Sequence, residues 1–202
     1  GAQSSNVIVG PQFDIHAGAG DQLNPRGCFD PVNHRFLVVW QDMPIISIEP
    51  GRLYGIFGQL IGSDGRPVGG TIPISTVSGS EWIDDGKVMD NRSKVIAYDT
   101  SSQRFLVVWS DHRNGVWNIY GQFVDANGAL SGVNFPVSPI PPEDYQPMSS
   151  PVVEFDSVNN RFLVVGTRSP TSSGGYPQNL YGQLLNAGGS KQGALFQITD
   201  YI

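Results

Sequence analysis

One short string limits what this chain can fold into more than any other feature. Phe36-Leu-Val-Val-Trp40 returns as Phe105-Leu-Val-Val-Trp109 and as Phe162-Leu-Val-Val-Gly166, each copy led by an arginine: Arg35, Arg104 and Arg161. Seven residues before each of these phenylalanines stands an aromatic ring followed by aspartate, in Phe29-Asp30, Tyr98-Asp99 and Phe155-Asp156. Downstream, Phe57-Gly-Gln59 answers Tyr120-Gly-Gln122 and Tyr181-Gly-Gln183. Fourteen residues beyond each glycine comes Ile72-Pro-Ile74, Phe135-Pro-Val137 or Phe196-Gln-Ile198. A fixed period of this kind means that one supersecondary unit is copied and that neighbouring copies bury each other's apolar faces. Three copies fill most of the 202 residues, the length of a single domain.

Each copy contains four short extended segments, a to d in chain order. Segment b is a continuous apolar run of β-formers, as expected of a strand covered on both faces. Segment c alternates in character and ends at Ser63-Asp-Gly65, Ala126-Asn-Gly128 or Ala187-Gly-Gly189, turn chemistry that predicts a hairpin into d. No stretch sustains a helical period. Gly and Pro number 25 and 15, which suits a turn-rich all-β chain. The fold class read here is all-β: three four-stranded antiparallel blade-like repeats, approximately 22–76, 88–138 and 146–200, in a single domain over 1–202.

The a-to-b and c-to-d intervals are constant. From the Phe of segment b to the Gly of segment c the spacing runs 22, 16 and 20 residues, and from d to the next a it runs 26 and 20. In an up-and-down unit those two connections leave the same end, so the length variation gathers on one face, where a rigid scaffold usually carries binding.

Trp109-Ser-Asp111-His-Arg113, followed by Asn118-Ile-Tyr-Gly-Gln122 and a turn at Asp125-Ala-Asn-Gly128, resembles a repeat of large secreted bacterial proteins: Trp-x-Asp-x-Arg, then Asp-Ile-Tyr-Gly-Gln, then Asp-x-x-Gly. The first copy keeps Trp40-Gln-Asp42 but has Met43-Pro44 where Arg would follow, and the third has Gly166-Thr-Arg168. The resemblance implies β-propeller blades and an extracellular or cell-surface location, and no single activity. Gly1-Ala-Gln-Ser-Ser5, with no initiator Met and no charged leader, reads as a processed exported start or as a cloning remnant.

Propellers usually close with four to eight blades. Three blades are expected to be a partial propeller completed by assembly, as a closed dimer or as a fibre. Residues 7–16, containing Phe13-Asp-Ile15, match the d segments and predict one extra strand. An unpaired terminal d strand is a template for a second subunit, which makes Phe13, Ile15, Phe196 and Ile198 the candidate assembly residues.

Chemistry-bearing residues are sparse. The sequence holds none of the familiar hydrolase or metalloprotease signatures and no phosphate-binding loop, and His16, His34 and His112 fall at unrelated repeat positions. The expectation is a non-catalytic protein, not an enzyme, with a structural, self-associating role. On the variable face, Trp82 and Tyr145 lie in the connections between copies, and Tyr54, Trp117 and Tyr176 in the b-to-c connections. Such rings beside planar polar groups suit stacking on sugars, so a glycan-binding module is the alternative; packing of the rings against the scaffold is the competing explanation. A glycoside hydrolase is the third reading, requiring two carboxylates across a sugar site. No cofactor is implied except calcium, for which Asp84, Asp85, Glu143 and Asp144 are candidate ligands beside simple solvated charge. Asn91-Arg-Ser93 is a glycosylation sequon. Each Asp-x4-Arg pair is read as a cross-hairpin ion pair or a turn anchor. The single thiol, Cys28, is expected to be buried and inert.

A net charge of −6 opposes a phosphate backbone, which argues against nucleic acid as a partner. No apolar run reaches membrane-span length. The partners expected are a second copy of the chain and glycans.

Overall fold

In a computed structural model the described residues are 12–16, 21–43, 55–76, 81–82, 94–141, 146–169 and 178–200, and all regular structure among them is strand. Blade 1 comprises β1 (Asp21–Asp30), β2 (Arg35–Met43), β3 (Gly55–Gly62) and β4 (Pro67–Ser75). Blade 2 comprises β5 (Glu81–Trp82), β6 (Ile96–Asp99), β7 (Arg104–Asp111), β8 (Asn118–Asp125) and β9 (Leu130–Pro136). Blade 3 comprises β10 (Met148–Asp156), β11 (Arg161–Arg168), β12 (Asn179–Asn186) and β13 (Lys191–Gln197). The first and last blades are antiparallel meanders in chain order. In blade 2 the innermost strand is split, β5 and β6 both pairing with β7, which then pairs with β8 and β8 with β9.

The extra strand is therefore β5, opposite Asp111 and Ser110 of β7. The strand expected at 7–16 is corrected for its described part: residues 12–16 have no strand structure, because they form no ladder. Residues 7–11 lie outside the described residues.

The repeated b string forms the middle of each blade, and its alternation gives every blade two apolar faces. Phe105, Val107 and Trp109 of β7 turn towards blade 1, and Leu106 and Val108 towards blade 3; all five are fully buried. The faces are called leading (towards the preceding blade) and trailing (towards the following one). On the trailing side of blade 1 lie Leu37, Val39, Leu60, Ile72 and Ile74, and on the leading side of blade 3 lie Phe162, Val164 and Leu185, all buried in one continuous core.

The Gly-Gln pair of segment c has a specific task. Gly69, Gly132 and Gly193 adopt φ of 71°, 76° and 75° at equivalent places in β4, β9 and β13, each within or beside a register shift against the neighbouring strand. A residue with positive φ bulges the outer strand and leaves carbonyls without ladder partners. The glutamine amide reaches across to supply them: Gln122 Nε2 donates to the carbonyls of Ser131 (3.2 Å) and Gly132 (3.3 Å), Gln59 to Val68 and Gly69, and Gln183 to Gly193. The glycine before it leaves room for the outer-strand side chain, since a Cβ on Gly121 would stand 3.1 Å from the Phe135 ring.

Candidate functional site: open blade faces and the loop end

At the end carrying the a-to-b and c-to-d turns, each aspartate of the Asp-x4-Arg pairs caps its own turn. Asp30 accepts from the backbone N–H of Val32 and Asn33 (both 2.9 Å), Asp99 from Ser101 and Ser102, and Asp156 from Val158 and Asn159. The residue before each arginine, His34, Gln103 and Asn160, takes φ of 53°, 51° and 53°, which closes the turn. Burial opposes ionisation of Asp30 and Asp99, but the donors around them outweigh it and hold both carboxyls below the ordinary value. At Asp156, hydrogen bonds from Asn159 lower the pKa directly.

The arginines do something the sequence did not disclose. Arg35 Nη1 donates to the carbonyl of Ala126 (2.8 Å) and Arg104 Nη2 to that of Ala187, each in the c-to-d turn of the following blade. Arg104 also lies over the Phe123 ring, 3.9 Å from its centroid. The cross-hairpin ion pair is thus corrected for the first two copies. In blade 3 the equivalent arginine turns back, Arg161 Nε donating to Asp156 Oδ2 at 3.2 Å.

The two end faces repeat side chains that are buried elsewhere. Phe36 on the leading face of blade 1 is 43% exposed, whereas its equivalents Phe105 and Phe162 are at 0%. On the trailing face of blade 3, Leu163 and Val165 are half-buried where Leu37, Val39, Leu106 and Val108 are covered, and Phe196 and Ile198 are exposed. Of the other two candidate assembly residues, Phe13 is exposed and Ile15 half-buried. Phe13 leans on the turn glycine of blade 1, with a ring carbon 3.2 Å from where a Cβ on Gly65 would be. His16 bonds Thr71 (3.1 Å) and packs against the Trp40 ring, 5.2 Å between centroids.

At the opposite end, Asp111 is fully buried, accepting from Trp109 Nε1 (2.8 Å) and, in a forked pair, from Arg113 Nε (2.8 Å) and Nη2 (2.6 Å). Arg113 also donates to Ser75 of blade 1 (3.2 Å), and Asn134 Nδ2 donates to the Ile74 carbonyl (3.0 Å). The Trp-x-Asp-x-Arg residues of blade 2 therefore tie it to blade 1. Of the candidate ring residues, Trp117 is half-buried against the His112 ring at 5.0 Å, and Trp82 pairs through its backbone with Ser110 in β5, where a loop was expected. Tyr54, Tyr145 and Tyr176 lie outside the described residues, as do Asp84, Asp85, Asn91, Glu143 and Asp144. Among the described residues no group of three or more His, Cys, Asp and Glu could hold a metal ion, and no helix is long and apolar enough to cross a membrane. Cys28 is half-buried on the trailing face of blade 1, and burial pushes its thiol pKa up, countered in part by Lys94.

No family model matches the chain, and no curated protein does. Among solved structures it is similar to a thermostable family-43 glycoside hydrolase, a β-propeller, with a TM-score of 0.53 and 10% identity over 92% of this chain and 60% of that one. The chain thus spans less than two thirds of that neighbour. At this identity the likeness shows the fold, and the fold is propeller-like. It also corrects the expectation of a chain that is not an enzyme: the architecture stands with that of a glycoside hydrolase.

Proposed function

We propose that this chain is a partial, exported propeller that self-associates through its end blade faces, the trailing face of blade 3 in one copy meeting the leading face of blade 1 in another. The observation that carries this reading is the contrast within one strand position: Phe36 at 43% exposure against Phe105 and Phe162 at 0%. The same side chain is covered wherever a blade precedes it. The two internal junctions supply the pattern for a third, since the end surfaces carry the same residue types in the same register. The contact joins two different faces, so it closes into a ring if the blade rotation permits and grows as a fibre if it does not. Sedimentation velocity over a concentration series tests this: association that Val165→Glu abolishes supports it, and a monomer at every concentration overturns it.

A second reading has the glycoside-hydrolase neighbour in its favour: the loop end acts on or binds glycans, with Trp117 as a stacking ring. Release of chromophore from a panel of aryl glycosides, or glycan-array binding lost in Trp117→Ala, supports it. Inactivity and no binding in both assays removes it.

A further inference from the structure

We propose that residues 12–16 are a displaceable cap, seated on blade 1 where the outermost strand of a preceding blade belongs, and that the occupant which displaces them is β13 of a second copy. The inference rests on the self-association reading and adds how that contact is controlled.

The seat is identified by repetition. At the junction of blades 1 and 2, the turn glycine Gly128 is packed by Ile72 of β4, its virtual Cβ 3.1 Å from the side chain. At the junction of blades 2 and 3, Gly189 is packed by Phe123 of β8 at 2.7 Å and by Phe135 of β9 at 3.2 Å. The remaining turn glycine, Gly65 of blade 1, is packed by Phe13 at 3.2 Å. All three glycines are in the left-handed region, with φ of 88°, 88° and 79°, so the backbone itself presents the seat. Phe13-Asp-Ile15 aligns with Ile72-Pro-Ile74, Phe135-Pro-Val137 and Phe196-Gln-Ile198. Phe13 therefore stands to blade 1 as an outer-strand residue of a preceding blade would.

A second copy's blade 3 docking on blade 1 brings its own outer strand, with Phe196, to that seat. One seat takes one ring. The two contenders are held unequally: β13 is laddered to β12 from Leu185↔Lys191 to Tyr181↔Gln197, and Ile198 N–H extends the pairing to the Leu180 carbonyl at 2.8 Å. Residues 12–16 have no strand pairing, and among the described residues their contacts include the Phe13 packing, the His16 to Thr71 bond and the His16 ring against Trp40. The cap is the element that yields. Once it has gone, Arg161 of the docked blade lies in register with the Ser63 carbonyl, the equivalent of the Ala126 and Ala187 acceptors that Arg35 and Arg104 reach. Docking then trades its bond to Asp156 for the inter-blade clamp seen twice already.

The test uses the full chain. Phe13→Ala/His16→Ala removes the cap's contacts from positions at the surface, and its association constant by sedimentation velocity is expected to exceed that of the unsubstituted chain at least about tenfold. As a measurement independent of any change in that variant's folding, a synthetic peptide of residues 10–18 added to the unsubstituted chain is expected to dissolve the assembly by refilling the seat, and the same peptide with Phe13→Ala to be inert. Association of the double variant equal to that of the unsubstituted chain, with no peptide effect, overturns the cap and leaves self-association standing. Weaker association of the double variant overturns it in favour of residues 12–16 being part of the interface. If neither chain associates, self-association and the cap fall together.

Discussion

Arg104 shows how one side chain binds two blades. Its guanidinium covers the Phe123 ring of its own blade and donates to the Ala187 carbonyl of the next, so its removal leaves an acceptor and an aromatic face without their partner. A hydrogen bond from a charged donor contributes about 1.5 to 3 kcal/mol. Arg104→Ala is therefore expected to lower unfolding stability by roughly that amount in urea titration, and Arg35→Ala by a similar one. Arg161→Ala, which loses a half-exposed ion pair, should leave the stability of the dilute chain nearly unchanged. The turn aspartates add a pH dependence. Asp30, Asp99 and Asp156 have folded pKa values below the ordinary 3.8, so the stabilisation they bring is complete above that value and is lost as pH falls through the lower folded values. The melting temperature should hold from neutrality to about pH 4 and then fall, less steeply in Asp99→Asn than in the unsubstituted chain; a profile flat to pH 2 would contradict the turn-anchor role. At this scale the sequence was half legible. The spacing of Asp and Arg marked a turn, and the turn is there, but the arginine's true acceptor lies 83 to 91 residues away and no local spacing encodes it.

The strand elements were legible for a physical reason: an apolar run of β-branched residues bounded by turn chemistry has few alternatives to a strand covered on both sides. Val107 and Val164 occupy that run and are fully buried. Truncation to alanine at either is expected to cost about 1 to 3 kcal/mol by chemical denaturation, through lost burial and the space left behind. Val38→Ala, at the equivalent half-covered position of blade 1, should cost visibly less. The outer strands were legible only as strands. Their bulge depends on a glycine at positive φ in β4, β9 or β13 and on a glutamine in the adjacent strand, a pairing of two signals that each look ordinary alone. The left-handed turn residue is equally hidden, because Gln103 occupies a conformation that Asn, found at the same place in blade 3 as Asn160, tolerates better. Gln103→Asn should stabilise by about 0.5 kcal/mol, read as a small rise in urea midpoint. A fall would mean that the glutamine side chain has a role beyond the turn.

At the scale of the whole molecule, and among the described residues, blade 2 has a blade against both faces and blades 1 and 3 have one against a single face each, with residues 12–16 covering Trp40 on the leading side of blade 1, which makes position along the repeat, and not residue type, the variable that sets the effect of a substitution. Phe36 and Phe105 share sequence context and hold the same position in β2 and β7, yet one is 43% exposed and the other 0%. A charge at Phe105 must enter the core between blades 1 and 2 without a partner, a cost of several kcal/mol that a domain of ordinary stability does not survive. The same charge at Phe36 stays hydrated in the dilute chain and becomes costly only when a second copy's blade 3 covers it. Phe105→Asp is therefore expected to yield no cooperative melt. Phe36→Asp should melt within a few degrees of the unsubstituted chain at low concentration and yet stay monomeric where the unsubstituted chain associates. A Phe36→Asp chain that melts normally and associates undiminished would show that the leading face of blade 1 takes no part in assembly, and would send the search for the contact to the loop end, where Trp117 and His112 lie.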